Sequence, residues 1–178
     1  ADKPQDIAFN TEAFNGIFGE VGIDADSTVD FIAKAVKFAN DGLWGTLGCS
    51  IVVHPKSMKD PAVAAAVEQA IADLRYGTIG VNLWSAVGFL LGTTPWGAYP
   101  GHTIDDVQSG IGFVHNSIML AEADIEKTVV RGPFRMPIKP TWFASHKTAH
   151  KAGELAAKLM TKPSWGKVPG LVTTALRG

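Results

Sequence analysis

Apolar positions along the chain change period several times, and each change marks an element. Residues 1–26 set Phe14, Ile17, Phe18, Val21 and Ile23 among Gly16, Gly19 and Gly22, an irregular stretch with room for one short strand in 17–23. From Ser27 the spacing turns helical, with Val29, Ile32, Ala33, Val36 and Ala39 on one face. Ser27 stands as N-cap, and Asp30 occupies the position where a capping box carries an acid. Asn40-Asp41-Gly42 supplies residues that tolerate the left-handed conformation at the helix end.

Residues 46–53, Thr-Leu-Gly-Cys-Ser-Ile-Val-Val, form a near-continuous apolar and β-branched run, which predicts a strand covered on both faces. Asp60-Pro61 opens a second helix, with proline at the first helical position where its missing N–H costs nothing. Its stripe is Val63, Ala66, Val67, Ala70, Ile71 and Leu74, and Tyr76-Gly77 ends it. Thr78-Ile79-Gly80-Val81-Asn82 follows as a second strand, so strand, helix and strand with short links compose a βαβ unit. That strand empties into residues 83–101, a loop with Trp84, Trp96 and a Pro95-Trp96-Gly97 turn. Strand ends opening into glycine-rich aromatic loops are common ligand sites, because the strand fixes the base of the loop.

Beyond Gly101 the pattern thins. Residues 104–112 are turn-rich, and 113–120 and 127–131 read as strands separated by Glu122-Ala123-Asp124. Pro133, Pro137 and Pro140 make 132–141 extended. Residues 145–160 form a last helix with Ala149, Ala152, Leu155, Ala156 and Leu159 on one face, followed by a surface-lying tail.

Composition narrows the function classes. The 178 residues are 46% hydrophobic and 19% charged, as in a soluble globular protein, and no apolar run is long enough to span a bilayer. A formal net charge of −1 gives no broad field for nucleic acid or an anionic membrane, so neither is expected as a partner. A single cysteine excludes an intrachain disulfide framework and fits a reducing, cytoplasmic setting. The polar start, with no initiator Met, fits either a processed terminus or an internal point of a longer polypeptide.

Candidate chemistry is sparse. Cys49 lies mid-strand among Leu47, Ile51 and Val53 with no basic neighbour, which makes it a small buried hydrophobe rather than a nucleophile. His146 and His150 share a helix face at i,i+4, but Lys147 stands where a metalloprotease carries its glutamate, and no metal site is assigned. His102, in the glycine loop, is better placed to meet a ligand than His54 or His115. Gly110-Ile111-Gly112 lacks the following glycine and the strand-to-helix setting of a phosphate cradle. Trp44 reads as core; Trp84 and Trp96, being in a loop, read equally as core or ligand-facing.

The ordered segments Glu12-Ala13-Phe14, Phe38-Ala39-Asn40-Asp41, Trp44-Gly45-Thr46-Leu47, Gly77-Thr78-Ile79-Gly80-Val81-Asn82 and Pro95-Trp96-Gly97-Ala98 resemble the C-terminal portion of the aldehyde dehydrogenases, over roughly residues 10–130. That family carries Glu-x-Phe-Gly-Pro-Val, a helix ending in Ala-Asn, Tyr-Gly-Leu, Gly-x-Val-x-Val-Asn and Pro-Phe-Gly-Gly in the same order. The resemblance implies an NAD(P)-dependent oxidation of an aldehyde to a carboxylic acid through a cysteine thioester. Glu12 would hydrogen-bond the nicotinamide ribose and Phe14 would pack beside the nicotinamide. Trp96, with Trp84 and Phe89 beside it, would line the substrate tunnel. A second register aligns Ile17-Phe18-Gly19-Glu20-Val21 with Ile-Phe-Gly-Pro-Val and puts Gly16 at the glutamate; the first keeps both acid and aromatic. Cys49 does not fall on the nucleophile's motif, so no catalytic residue is assigned, and the nucleophile and dinucleotide-binding domain belong to a missing N-terminal portion.

The resulting expectation is an α/β fold: βαβ units of a mostly parallel sheet covered by helices, a late extended strand or hairpin for oligomerisation, and a C-terminal helix. Its parts are a catalytic-domain piece in 1–112, oligomerisation strands in 113–131 joining copies of the chain, and a C-terminal extension in 132–178. The chain alone should be catalytically silent. A second reading is a non-catalytic assembly or small-ligand-binding α/β module.

Overall fold

A computed structural model describes residues 6–136 and 138–178; the first five residues and Pro137, part of the expected extended stretch, lie outside the described residues. The chain divides into two compact units, Ala1–Phe134 and Arg135–Gly178. Unit one runs α1 (Ile7–Asn10), α2 (Thr28–Gly42), β1 (Gly48–Ile51), α3 (Pro61–Asp73), β2 (Thr78–Val81), α4 (Val87–Leu91), β3 (Trp96–Gly97), β4 (Phe113–Val114) and β5 (Thr128–Arg131). Unit two holds α5 (Ala149–Thr161) and α6 (Val168–Ala175), which pack on each other.

The architecture is α/β. β1, β2 and β5 form a parallel sheet in the order β1-β2-β5, with Cys49 beside Ile79 and Ile79 beside Val129. β1, α3 and β2 make the expected βαβ unit. Its helix is capped as the sequence demands: the Asp60 side chain accepts the Ala62 N–H at 2.9 Å, and Pro61 occupies the first turn. Ser27 likewise caps α2, accepting the Asp30 N–H at 3.1 Å, and Asp30 returns to accept the Asp26 N–H at 3.0 Å. Val63, Val67 and Ile71 of α3, with Leu74 at its C-cap, close over Ile79 and Val81, with Ile32, Val36 and Ala39 of α2 at the margin. Ile79 is wholly buried and is the centre of this core. The hydrophobic contribution of such a side chain is about 1.5–3 kcal/mol.

Several expectations need correction. Residues 17–23 form no strand: Ile17 and Phe18 are exposed, and the flanking glycines meet no partner strand among the described residues. Val29 and Ala33 lie off the packed face of α2. Gly42 remains helical, and the left-handed residue comes later, at Gly45. β1 is half the length of its apolar run and stands at the sheet edge; Gly48 and Ser50 are exposed while Cys49 and Ile51 are half-buried. Only β2, the central strand, is buried throughout.

The loop after β2 contains α4, and Trp96 sits in β3, paired antiparallel with Val114. The strand expected over 113–120 stops at Val114, where His115 (φ 68°) and Asn116 (φ 53°) turn the chain. Within residues 113–131, β4 pairs with β3 and β5 pairs with β2 of the same chain, leaving β5 at an edge of the sheet. The tail, expected to lie on the surface, winds into α6. His146 holds that end: it is buried, its Nδ1 accepts the Thr148 N–H at 3.3 Å, and its Nε2 donates to the Ala175 carbonyl at 3.0 Å.

Candidate functional site

Small residues on one face of the sheet build the site. β1 presents Gly48 and Ser50 to this side, and β2 presents Gly80. A Cβ on Gly80 would stand 2.7 Å from the Leu83 carbonyl oxygen and 3.0 Å from the Ser85 nitrogen, so its absence lets residues 83–85 lie directly on the strands. The Ser85 N–H then donates to Ser50 Oγ at 3.0 Å. Trp84, held between these contacts, stays 62% exposed. α4 carries Phe89 against Trp96, ring centroids 5.8 Å apart and nearly edge-on, and against the His115 ring at 5.2 Å.

The opposite wall comes from α1. Asp6 caps it by accepting the Ala8 N–H at 3.0 Å, Phe9 packs edge-on against Phe38 at 5.6 Å, and the Trp44 N–H donates to the Phe9 carbonyl at 2.8 Å. From this anchor the chain extends through Glu12, which is exposed, to Phe14, which is 89% exposed with a left-handed φ of 47°.

Between the two walls runs a cleft of about 880 Å³ lined by Glu12, Phe14, Trp44, Trp84, Ser85 and Trp96, among others. That volume lies within the range of small-molecule pockets, roughly 300–1,000 Å³. Four of the five site residues read from the sequence thus share one cavity. Phe89 is not in its lining; it buttresses Trp96 from behind. Trp44 was read as core and is instead half-exposed on the cleft wall. Its position beside Gly45, which has φ of 100°, was the available signal that the chain turns there rather than burying the ring. Ser50 and Ser85 carry no sequence motif and were missed.

The cleft is rich in aromatic surface, with serine hydroxyls and the Glu12 carboxylate as its polar groups. Cys49 touches it but is no thiolate: burial pushes its thiol up from the ordinary value. His102 lies outside the lining, with Nε2 2.7 Å from Thr46 Oγ1, in a smaller hollow of the glycine loop. His54 Nδ1 accepts the Lys56 N–H at 3.0 Å, and His146 is engaged on both ring nitrogens. Among the described residues no group of three or more His, Cys, Asp or Glu side chains is placed to hold a metal ion. Comparison with family models, curated proteins and solved structures finds no match for this chain.

Proposed function

We propose that the chain is the C-terminal part of an NAD(P)-dependent aldehyde dehydrogenase-like oxidoreductase, supplying one wall of a site that converts an aldehyde to a carboxylic acid. The observation that carries this reading is the convergence of Glu12, Phe14, Trp84 and Trp96 on one cleft. These residues were picked from separate motifs, 70 or more positions apart along the chain between the first pair and the second. The register that uses Glu12 and Phe14 is favoured because both line the cleft, whereas Gly16 and Phe18 do not.

The residues fit a nicotinamide nucleotide. The exposed Glu12 carboxylate can accept a ribose hydroxyl, and the exposed Phe14 ring offers an apolar face to a flat ring. When bound, that cofactor supplies a hydride acceptor. Trp84 and Trp96 exclude water from an apolar substrate tail. Burial pushes the Cys49 thiol up, and this reading places the nucleophile in the missing N-terminal portion rather than at Cys49.

The test has two arms. The isolated chain should give no aldehyde-dependent NADH, and the gene upstream of Ala1 should encode a cysteine in a Gly-Gln-x-Cys setting. In the full-length protein, Glu12→Gln should weaken cofactor use and Trp96→Ala should raise KM for the aldehyde. NADH formation by the isolated chain, or a native protein that begins at Ala1, overturns the reading.

A further inference from the structure

The net charge of −1 conceals a separation of charge between the two units. The C-terminal unit, Arg135–Gly178, holds six lysines and two arginines against one acid, Glu154, a side-chain charge of +7. The remaining 134 residues hold eight cations and sixteen acids, a side-chain charge of −8. Some of the basic unit's cations are engaged at home: Lys158 pairs with Glu154 at 2.6 Å, and Lys167 donates to the last carbonyls of α5 at 2.9 and 2.7 Å. Lys147, Lys151 and Lys162 are exposed, and within α5 Lys151 and Lys158 share one side of the helix.

The same unit exposes large apolar side chains. Trp165 is 90%, Met160 82% and Trp142 66% exposed, with Met136 and Ile138 about half exposed. Lysine charge and exposed tryptophan, methionine and isoleucine within one unit match a lipid interface, where indole rings sit at headgroup level. A nucleic-acid surface would use the aromatic rings for stacking but gains nothing from exposed methionine and isoleucine. Among the described residues no helix is long and apolar enough to cross a membrane.

We propose that the C-terminal unit docks the chain peripherally on an anionic lipid surface, through Lys147, Lys151 and Lys162 for the headgroups and Trp165 for the interface. This does not depend on the oxidoreductase reading. The test is sedimentation of the whole chain with vesicles of phosphatidylcholine alone and with phosphatidylglycerol added, at low and high salt, alongside Trp emission. Binding should require the anionic lipid, weaken at high salt and shift the emission to the blue. Since a basic residue near such a surface contributes about 1 kcal/mol, the triple variant Lys147→Glu/Lys151→Glu/Lys162→Glu should lose more than roughly 100-fold in affinity, and the corresponding glutamine triple on the order of 100-fold. Trp165→Ala should lose the larger part of the blue shift. If the charge-reversed variant changes the circular dichroism spectrum, the lysine-to-glutamine triple takes its place. Equal binding to neutral vesicles, no loss on charge removal, no binding at all, or tighter binding to single-stranded nucleic acid at the same salt overturns the proposal.

Discussion

The side-chain oxygen of Asn82 accepts the backbone N–H of Val53 at 2.8 Å, tying the loop that leaves β2 to the chain that leaves β1. Asn82 has φ of 57°, a conformation that asparagine tolerates better than other residues with a Cβ. Asn82→Ala loses both the acceptor and that tolerance and should cost about 2–3 kcal/mol in urea unfolding. Asn82→Gly relieves the backbone but not the lost bond, so its midpoint should fall between wild type and alanine.

Lys127 caps the end of α3. Its ammonium donates to the carbonyls of Ile71, Ala72 and Leu74 at 3.2, 2.6 and 2.7 Å, and its side chain is nearly buried. The neighbouring Glu126 is mostly exposed and adds little. Lys127→Met keeps the apolar stem but leaves these carbonyls without their donor, so it should destabilise the fold by about 2–3 kcal/mol, measured by denaturant titration.

Tyr76 makes stability fall in strong base. Its hydroxyl donates to the Ala39 carbonyl at 2.8 Å, and burial, with Cys49 as a lesser cause, pushes the phenol up to about 12. The unfolded chain, with a tyrosine value of about 10, releases the proton first. The contribution of this group is therefore complete below about pH 10 and is lost as pH rises through about 12. Tyr99 is also held above the usual phenol value, by burial first and Glu126 second, so assignment needs a variant. Tyr76→Phe should remove the highest transition in the phenolate absorbance titration and cost about 1 kcal/mol at neutral pH.

Gly80→Ala tests how the cleft wall is seated. The new Cβ would meet backbone atoms of Leu83 and Ser85 rather than flexible side chains, so the 83–85 segment must lift or the strand must shift. The expected result is a lower unfolding midpoint together with altered Trp84 emission. An unchanged spectrum and midpoint would refute the direct seating.

Elements set by local chemistry were readable in the sequence. Ser27, Asp60 and Pro61 start their helices where their side chains and ring geometry dictate, and the stripe from Val63 to Leu74 reports the buried face of α3 directly. What failed depended on neighbours. The apolar run from Thr46 to Val53 gives no sign that its strand stands at a sheet edge, because both a central and an edge strand can be apolar. The expected strand over 113–120 was ended by left-handed backbone at His115 and Asn116, residues whose side chains do not require it. Glu12 and Phe14 were named through the resemblance, and Trp84 and Trp96 also from their loop, whereas Ser50 and Ser85 meet only because residues 83–85 fold onto the sheet face that carries Ser50. The charge of the last 44 residues was in plain view but cancelled in the total.

The seating of residues 83–85 on Gly80 also decides where a ligand would lose entropy. That wall is already fixed to the sheet by backbone contacts and by Ser85 to Ser50, so little freedom remains there to be lost on association. The segment from Glu12 to Phe14 is different: past the anchor at Phe9 it is exposed and belongs to no helix or strand. The ordering cost of filling the cleft falls on this arm, about 1–2 kcal/mol for each residue it immobilises. A substitution that stiffens the arm would tighten binding without adding a single contact.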